Sequence, residues 1–366
     1  MKILHIITGL ENGGAEAVLY RLCTYDTGNE HIVVSLTGLG KYGQLLVQAK
    51  IPVHALRFEF KFLAINKFIY LIELIKQNNP DVVQTWLYHA DFLGGLAARL
   101  AGVQSVYWGV HNSTLSREKT PLMTRLIVKA LALLSYFIPK KIIVCGKVPL
   151  RHHEKIGYDK SKMCVIYNGY DTNVFKPNPF LKRKIDGVAY NVPLLGMIAR
   201  YAPQKDHENL FNSLKILKSS GFLFKCILIG AGLNSRNQEL LYKINRYDLS
   251  DIIILLGERS DLPTIIPALD IHILSSAYGE AFPNVICEAM ACGVPCVATD
   301  IGDCAEIIGN RGWVVPPSDP QKLASTIMKA FQTKQQLSEN QIRERIVLNY
   351  GIQRMISSYN EKWNES

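Results

Sequence analysis

The amino-acid sequence predicts an α/β protein built from two successive doubly wound parallel sheets. Short runs rich in Ile and Val alternate with amphipathic helical stretches along all 366 residues. Several predicted strands are apolar throughout instead of alternating, which is typical of parallel strands covered by helices on both faces. A stretch at 168–187, rich in Asn, Asp, Pro and Gly, separates the two halves and indicates a linker.

The first half alternates predicted strands with predicted helices. The strands lie at 2–8, 31–36, 53–56, 82–86, 105–108, 141–144 and 164–167. The helices lie at 15–24, 64–77, 91–101, 121–137 and 147–156. We therefore expect residues 1–170 to form one Rossmann-like domain.

The second half repeats this alternation. Its predicted strands lie at 194–198, 225–229, 252–256, 271–274, 296–299 and 313–315, and its helices at 208–219, 235–247, 284–292 and 320–333. We expect residues 171–350 to form a second Rossmann-like domain that faces the first across a cleft. The final stretch, 338–364, is helical and lacks a strand, so we expect a C-terminal helix at 351–366 to pack back on the first domain.

Composition excludes several classes of protein. Apolar residues make up 48% of the chain and charged residues 20%, which suits two packed cores and argues against disorder. No uncharged apolar run is long enough for a membrane-spanning helix, and the opening 1–16 is typical of a first strand, not of a signal peptide. The eight cysteines form no CxxC pair, which favours structural thiols in a reducing cytoplasm over a metal site or disulfides.

The net charge of +10 is unevenly distributed. Residues 1–170 contain 20 Lys and Arg against 11 Asp and Glu, which gives +9, whereas residues 171–366 contain 21 against 20, which gives +1. The basic half indicates an anionic partner, either a membrane surface or a nucleic acid. Because no recognisable module of aromatic stacking platforms is present, we expect no nucleic acid.

A loop and helix at 275–299 form the strongest candidate for a binding site, because ligands of such sheets bind beyond the carboxyl ends of the strands. Glu280 precedes a predicted helix start near Pro283 and Asn284, and Glu288 lies in its second turn. Unpaired amides at a helix start suit a diphosphate, and carboxylates accept hydrogen bonds from sugar hydroxyls. A solvated loop glutamate and a helix glutamate that favours the macrodipole would explain the same residues.

Two cations follow the predicted strand at 194–198. Arg200 and Lys205 precede a helix that Asp206 or His207 could cap, so they form a candidate clamp for an anion. Two ordinary surface cations are the alternative.

Glycines follow the first predicted strand, at Gly13 and Gly14, where the backbone can approach a ligand closely. The segment lacks the GxGxxG fingerprint and its acidic ribose ligand, which disfavours a nicotinamide cofactor, and the chain has no GxxxxGK[ST] motif of an NTP-hydrolysing P-loop. His111 ends a strand, where loop packing and ligand contact are equally expected.

Together these segments resemble glycosyltransferase family four, whose members have the GT-B fold of two Rossmann-like domains. The resemblance covers nearly the whole chain, in the family's order. It comprises GGAE after the first strand, the HNS segment with His111, VIYNGYDTNVFKP at the linker, ARYAPQKDHENL, and EAFPNVICEAMACGVPCVATDIGDCAEII. The last segment is the most specific, because paired glutamates eight residues apart with Pro and Asn between them form the family's donor-site signature.

The resemblance implies a role for each residue of the second half that matches the family's motifs. Arg200 and Lys205 would hold the donor diphosphate, Glu280 would accept from donor-sugar hydroxyls, and Glu288 would accept from the nucleotide ribose. The backbone of the four residues that follow Glu280 would support the diphosphate and sugar, namely Ala281, Phe282, Pro283 and Asn284. Many relatives have Gly where this chain has Ala281, so the loop geometry or the donor sugar could differ here.

The resemblance implies further donor contacts from other segments. Gly13 and Gly14 would let the backbone approach the diphosphate, His111 would touch the donor sugar, and Gly257 and Arg259 would lie near the base.

The activity implied by the resemblance is retaining and independent of metal. A hexose or N-acetylhexosamine would pass from a nucleotide sugar, by family frequency UDP-linked, to a glycan or lipid-linked glycan acceptor in surface polysaccharide synthesis. No DxD-like pair follows a strand, so we expect no metal or other cofactor. A sugar-nucleotide 2-epimerase of the same fold and a non-catalytic sugar-nucleotide-binding subunit are the alternatives.

Two basic amphipathic stretches, 57–76 and 117–141, mix cations with large apolar residues at helical spacing, and Arg125 and Lys129 share one helix face. They predict either peripheral attachment to the inner face of an anionic membrane or ordinary core helices with one wetted face. The expected location is cytoplasmic in both cases.

Overall fold

The structure, a computed structural model, describes residues 1–58, 65–112, 120–178, 188–189, 192–333 and 336–365. The chain forms two compact units. Unit 1 comprises Met1–Gly169 and Ile352–Ser366, and unit 2 comprises Tyr170–Gly351. Unit 2 is therefore a continuous segment inserted between the two segments of unit 1.

Unit 1 contains a seven-stranded parallel sheet. Its strands are β1 (Lys2–Ile7), β2 (Glu30–Ser35), β3 (Val53–Ala55), β4 (Val82–Trp86), β5 (Val106–Val110), β6 (Lys141–Val144) and β7 (Met163–Val165). Their spatial order is β3-β2-β1-β4-β5-β6-β7. The order reverses between β1 and β4, and the carboxyl ends of these two strands form the switch point of unit 1, the usual ligand position in such sheets.

Helices cover both faces of this sheet. They are α1 (Gly14–Tyr25), α2 (Gly40–Gln48), α3 (Ile65–Asn78), α4 (Tyr88–Leu100), α5 (Leu122–Leu134) and α6 (Lys147–Ile156). Along β1, Leu4 and Ile6 face the core on the side of α3 to α5, whereas Ile3 and Ile7 face α1. His5 lies between Ile3 and Ile7 on the same face of the strand and is fully buried.

Unit 2 contains a six-stranded parallel sheet. Its strands are β8 (Leu194–Ile198), β9 (Lys225–Ile229), β10 (Ile253–Gly257), β11 (Ile271–Leu274), β12 (Cys296–Thr299) and β13 (Trp313–Val315). Their spatial order is β10-β9-β8-β11-β12-β13. The switch point of unit 2 therefore lies at the carboxyl ends of β8 and β11, which are hydrogen-bonded neighbours.

The helices of unit 2 are α7 (His207–Ser219), α8 (Gln238–Arg246), α9 (Leu262–Ile265), α10 (Asn284–Ala291), α11 (Cys304–Ile308), α12 (Pro320–Thr333) and α13 (Glu339–Tyr350). The last helix of the chain, α14 (Ile352–Asn364), belongs to unit 1 and packs against α1.

The structure departs from the predicted elements in two respects. The sequence pattern missed α2, α9 and α11, which have nine residues or fewer and carry too few apolar positions to establish a helical period. The single helical stretch predicted at 338–364 is broken at Gly351, which has extended backbone torsions of −64° and 147°. As a result α13 stays in unit 2, packed near α10, and only α14 returns to unit 1.

Candidate active site

The loop after β8 carries the two predicted cations. A short 3-10 helix, Pro203–Lys205, ends at Asp206, which has a φ of 48°. The Asp206 carboxylate accepts a hydrogen bond from the Asn209 amide at 3.1 Å and so caps α7. This cap fixes where the loop ends and therefore where Lys205 lies.

Hydrogen bonds tie the loop after β8 to the loop after β11. The Ser275 hydroxyl lies 2.9 Å from the carbonyl oxygen of Lys205 and 3.1 Å from that of Asp206. The Ala277 amide donates to the carbonyl oxygen of Gln204 at 2.9 Å. The two sides of the switch point are thus joined by hydrogen bonds to the backbone of the loop after β8.

A buried ion pair lies at this junction. Lys205 Nζ is 2.5 Å from Glu280 Oε1, and the two side chains are only 14% and 8% exposed. The Ser276 hydroxyl donates to the same carboxylate oxygen at 2.5 Å. Two of the predicted site residues, 75 positions apart, are therefore in direct contact. Ser276 was not predicted as a site residue. Its position in the loop after β11, at the carboxyl end of the strand, could have indicated it.

The loop that carries Glu280 is supported from the segment after β12. Gly302 has a φ of 62°, and a Cβ there would lie 2.4 Å from the carbonyl oxygen of Glu280. The Asp303 amide donates to the carbonyl oxygen of Ala281 at 2.9 Å. The positive φ of this loop falls at Gly279, and Ala281 is not among the described residues with positive φ. Alanine therefore fits position 281 without the backbone strain that prompted the expectation of altered geometry.

The start of α10 follows this loop. Pro283 is its N-cap and Asn284 its first residue, and the Tyr170 hydroxyl donates to Asn284 Oδ1 at 2.6 Å. The Phe282 ring packs edge-on against Tyr350, with the ring centroids 5.3 Å apart. Glu288 is buried one turn further along α10.

The remaining predicted residues of unit 2 are less closely grouped. The exposed Arg200 guanidinium donates to Gln204 Oε1 at 3.1 Å, within the loop after β8. Gly257 ends the edge strand β10, two strands away from β8. Arg259 makes two hydrogen bonds to the Asp261 carboxylate, at 2.8 and 2.6 Å, and both side chains are exposed.

In unit 1, the glycines after β1 begin α1. Gly13 is the N-cap and Gly14 the first helical residue. The Glu16 side chain folds back over this start, so that a Cβ on Gly13 would lie 2.3 Å from its carboxylate. Burial raises the pKa of Glu16. A carboxylate of the chain itself therefore faces the amides at the start of α1.

His111 follows β5 and stacks on the indole of Trp86, at 5.1 Å between ring centroids and 20° between planes. Burial lowers the pKa of His111 to about 4, so its ring is neutral at physiological pH. Its Nε2 is buried and has no hydrogen-bond partner among the residues that the structure describes. The ring therefore retains a polar atom with an unused hydrogen-bonding capacity.

Trp86 is also the first member of a chain of buried polar side chains, which we call the histidine chain (Trp86, His5, His31 and Asp26). Trp86 Nε1 donates to His5 Nδ1 at 3.2 Å, His5 Nε2 lies 2.9 Å from His31 Nδ1, and His31 Nε2 lies 3.3 Å from Asp26 Oδ2. Burial would raise the pKa of Asp26, but hydrogen bonds from His31 and Asn29 outweigh it and lower the pKa to about 2.

Potential metal ligands also meet at this chain, because His5, His31 and Cys23 place one ligand atom each within 4.8 Å of one another. The residues fit a metal poorly. The indole N–H can only donate, so His5 Nδ1 must accept, and His5 Nε2 then carries the proton that a metal would have to replace. All eight cysteines are free and seven are buried, and burial is what packing as small apolar side chains would produce.

A buried carboxylic acid, Asp91, joins the ends of β4 and β5. Its Oδ1 accepts from the Thr85 hydroxyl at 2.5 Å and from the Gly109 amide at 3.3 Å. Its Oδ2 is buried without a hydrogen-bond partner among the described residues, and burial raises the pKa of Asp91 to about 8. At neutral pH this acid is therefore mostly protonated.

Comparison with known protein families gives two matches that together span most of the chain. A model described as "Glycosyltransferase Family 4" matches residues 12–174, and one described as "Glycosyl transferases group 1" matches residues 192–333.

Among curated proteins, the chain is 27% identical over 292 residues to the UDP-Gal:alpha-D-GlcNAc-diphosphoundecaprenol alpha-1,3-galactosyltransferase of Escherichia coli, covering 78% of this chain and 75% of that protein. It is 26% identical over 258 residues to the N,N'-diacetylbacillosaminyl-diphospho-undecaprenol alpha-1,3-N-acetylgalactosaminyltransferase of Campylobacter jejuni, covering 68% of this chain and 66% of that protein.

Two solved structures share the fold over the full length of the chain. Anabaena Alr3699/HepE in complex with UDP aligns with a TM-score of 0.88 at 24% identity, covering 100% of both chains. Sucrose-phosphate synthase from Thermosynechococcus elongatus aligns with a TM-score of 0.82 at 15% identity, covering 100% and 99%. None of the described helices has the length and apolar composition needed to cross a bilayer.

Proposed function

Because this chain belongs to glycosyltransferase family four and has the GT-B fold, we propose that it is a retaining enzyme that uses a nucleotide sugar. The donor is a UDP-linked hexose or N-acetylhexosamine, and the acceptor is a glycan or lipid-linked glycan of surface polysaccharide synthesis. The acceptor class follows from relatives that act on diphosphoundecaprenol-linked sugars. The donor nucleotide follows from a relative named for UDP-Gal and from a structural neighbour bound to UDP.

The observation that carries this proposal is the contact among Lys205, Glu280 and Ser276 at the switch point of unit 2. A largely buried cation beside a buried carboxylate matches the diphosphate and the sugar of a nucleotide sugar. The ammonium group pairs with the diphosphate, and the carboxylate accepts from the sugar hydroxyls. Ser276 holds Glu280 in place when Lys205 turns to the diphosphate.

In the proposed reaction, the acceptor hydroxyl attacks the anomeric carbon from the face that the diphosphate leaves. The bond from this carbon to the leaving phosphate oxygen breaks, the new glycosidic bond forms on the same face, and the departing phosphate takes the hydroxyl proton. Lys205 and Arg200 stabilise the charge that develops on the diphosphate, so that catalysis is mainly electrostatic positioning. Glu288 and Asn284 at α10, and His111 and Gly14 in unit 1, bind the donor.

This proposal assigns no metal ion to the reaction, because cationic side chains neutralise the leaving diphosphate. Treatment of the purified protein with EDTA is expected to leave transfer unchanged. Loss of activity that Mn²⁺ or Mg²⁺ restores would reject the metal-free clamp.

The experiment that tests the proposed function is a panel of nucleotide sugars assayed with a diphosphate-lipid-linked sugar acceptor. Transfer with retained anomeric configuration, read by NMR of the product, is the expected result. Epimerisation of the donor alone would instead identify a sugar-nucleotide 2-epimerase. Donor binding without hydrolysis or transfer would identify a non-catalytic subunit.

Attachment of unit 1 to an anionic membrane surface is part of the proposal, because the acceptor is lipid-linked. The helix α5 exposes a stripe of large apolar side chains, with Arg125 and Lys129 on the same helix. The exposed residues are Leu122, Met123, Leu126 and Leu133. Residues 59–64 and 117–119 of the two predicted basic stretches lie outside the described residues. Such a stripe suits the interface of a bilayer, where each cation contributes about 1 kcal/mol.

Sedimentation with vesicles tests this attachment. We expect the protein to bind anionic vesicles in preference to neutral ones, and Leu126→Asp to weaken binding. Leu223→Asp in unit 2, at a leucine that is also exposed, serves as the control. Equal sedimentation with both kinds of vesicle would remove the membrane from the proposal.

A further inference from the structure

The histidine chain has only one arrangement of protons. The Trp86 indole can only donate, so His5 Nδ1 accepts and His5 Nε2 carries a proton. That proton is donated to His31 Nδ1, which leaves the proton of His31 on Nε2, facing the Asp26 carboxylate. Because Asp26 is ionised at any pH well above about 2, the direction of the whole chain is fixed at neutral pH.

The free end of the histidine chain is the face of the Trp86 indole. His111 stacks on Trp86 at 5.1 Å, and the Tyr359 ring from α14 stacks on it at 5.9 Å between centroids. A hydrogen bond in the plane of the indole resists rotation of the ring about its side-chain torsions, which stacking contacts alone do not do. The indole plane is therefore fixed from three directions, and it in turn limits the orientations open to the His111 ring.

We propose that Trp86 and His5 are positioning residues, which hold the imidazole of His111 in the orientation that its contact with the donor sugar requires. This inference rests on the proposed function, since it assigns the chain a task at the donor. It goes beyond that function because it gives Trp86 and His5 a task that the proposed function leaves unassigned. The buried Nε2 of His111, which lacks a partner among the described residues, is the atom whose direction the chain would set.

The sequence offers a matched pair of variants. Trp86→Phe keeps an aromatic face for His111 but removes the N–H that donates to His5. Trp108→Phe makes the same change at a second fully buried tryptophan of unit 1, whose indole nitrogen has no hydrogen-bond partner within the described part of the chain. A general effect of truncating a core tryptophan appears in both variants, whereas a positioning effect appears only in the first.

We expect Trp86→Phe to lower kcat about tenfold with little change in the acceptor KM, because a misplaced contact slows the chemical step more than acceptor binding. Trp108→Phe should keep kcat within about twofold. His5→Phe should reproduce the loss, and His5→Gln, whose amide oxygen can accept from the indole, should restore part of kcat. Equal losses of kcat in the two tryptophan variants would overturn the inference.

A second readout needs no substrate. Long-range ¹H–¹⁵N correlation spectra of the histidine rings should show His5 with its proton on Nε2 in the wild type. The ring signals of His111 should shift in Trp86→Phe and remain in place in Trp108→Phe. Unchanged His111 signals in Trp86→Phe would reject the positioning role even if transfer is observed. A shift seen in a protein that transfers no sugar would instead leave the positioning intact and reject the proposed function.

Discussion

The switch points of unit 1 and unit 2 have the same topology and opposite chemistry. In unit 2, the ends of β8 and β11 bring together an ammonium, a carboxylate and a hydroxyl, at Lys205, Glu280 and Ser276. In unit 1, β4 at the switch point ends in Trp86, whose indole face carries the neutral ring of His111 from the end of the neighbouring strand β5. One sheet design therefore supports a charged site in one unit and an uncharged one in the other.

The net charge of a unit does not predict where its charged site lies. Nearly all of the excess positive charge lies in residues 1–170, yet the buried ion pair lies in unit 2. Net charge describes the surface of a domain, whereas the chemistry of a site depends on a few buried groups with fixed partners. We therefore expect the largest losses of turnover from substitutions of Lys205 and Glu280 in unit 2. In unit 1, we expect substitution of Asp91 to change how thermal stability depends on pH.

The largest expected effect is at the ion pair. Lys205→Ala and Glu280→Ala should each lower kcat by about 10²–10³, because each removes a charged group that acts on the donor, a loss of roughly 2.7–4 kcal/mol in transition-state stabilisation. Steady-state transfer kinetics measure this. Lys218→Ala, at an exposed lysine paired with Asp248 and Asp251, is the control and should retain full activity.

Removal of one partner also leaves the other buried charge unpaired, which costs about 3–5 kcal/mol. The double variant Lys205→Met with Glu280→Gln should recover much of the lost thermal stability without recovering transfer. If the double variant were as unstable as Lys205→Met alone, the contact would not be the source of the instability. If either alanine variant kept full turnover, the site would have to be placed elsewhere.

An intermediate effect is expected at Asp91 in unit 1. Burial raises the pKa of this acid from 3.8 to about 8, so the folded state binds its proton more tightly than the unfolded state. Its contribution to stability is therefore present below pH 4 and is lost as the pH rises towards 8, by about 1.4 kcal/mol for each pH unit. Asp91→Asn cannot ionise and should escape this loss.

The measurement is the difference in Tm between Asp91→Asn and the wild type from pH 5 to pH 8. We expect it to increase in favour of the variant, by about 2–4 °C for each kcal/mol. Parallel curves for the two proteins would show that Asp91 keeps an ordinary pKa.

The smallest expected effect is at the edge of unit 2. Arg259 pairs with Asp261 on the surface, and exposed pairs contribute about 0–1 kcal/mol. Arg259→Ala should therefore leave Tm within a few degrees, and any change in transfer should appear in the donor KM and stay within about tenfold. A loss of kcat as large as that of Lys205→Ala would place Arg259 at the reacting end of the donor.

The sequence was sufficient to predict the strands, because each strand of the two sheets overlaps a predicted apolar run. The order of the strands was not predictable, since parallel strands carry no local signal for their neighbours. For this reason the contact between Lys205 and Glu280 was not evident from the sequence, although both residues were candidates. His5, in contrast, could have been identified from the sequence. A lone histidine within the apolar run KILHII indicates a buried polar group that needs a partner.

The insertion of unit 2 into unit 1 has a consequence for biosynthesis. The Tyr170 amide donates to the carbonyl oxygen of Tyr350 at 2.9 Å, so the two ends of unit 2 are adjacent. A ribosome completes this unit before it makes α14, which supplies Tyr359 and Trp363 to the core of unit 1. Synthesis of unit 1 therefore begins before that of unit 2 and ends after it. Until α14 is made, the core of unit 1 is incomplete and its apolar surface is accessible to chaperones, whereas unit 2 can already fold.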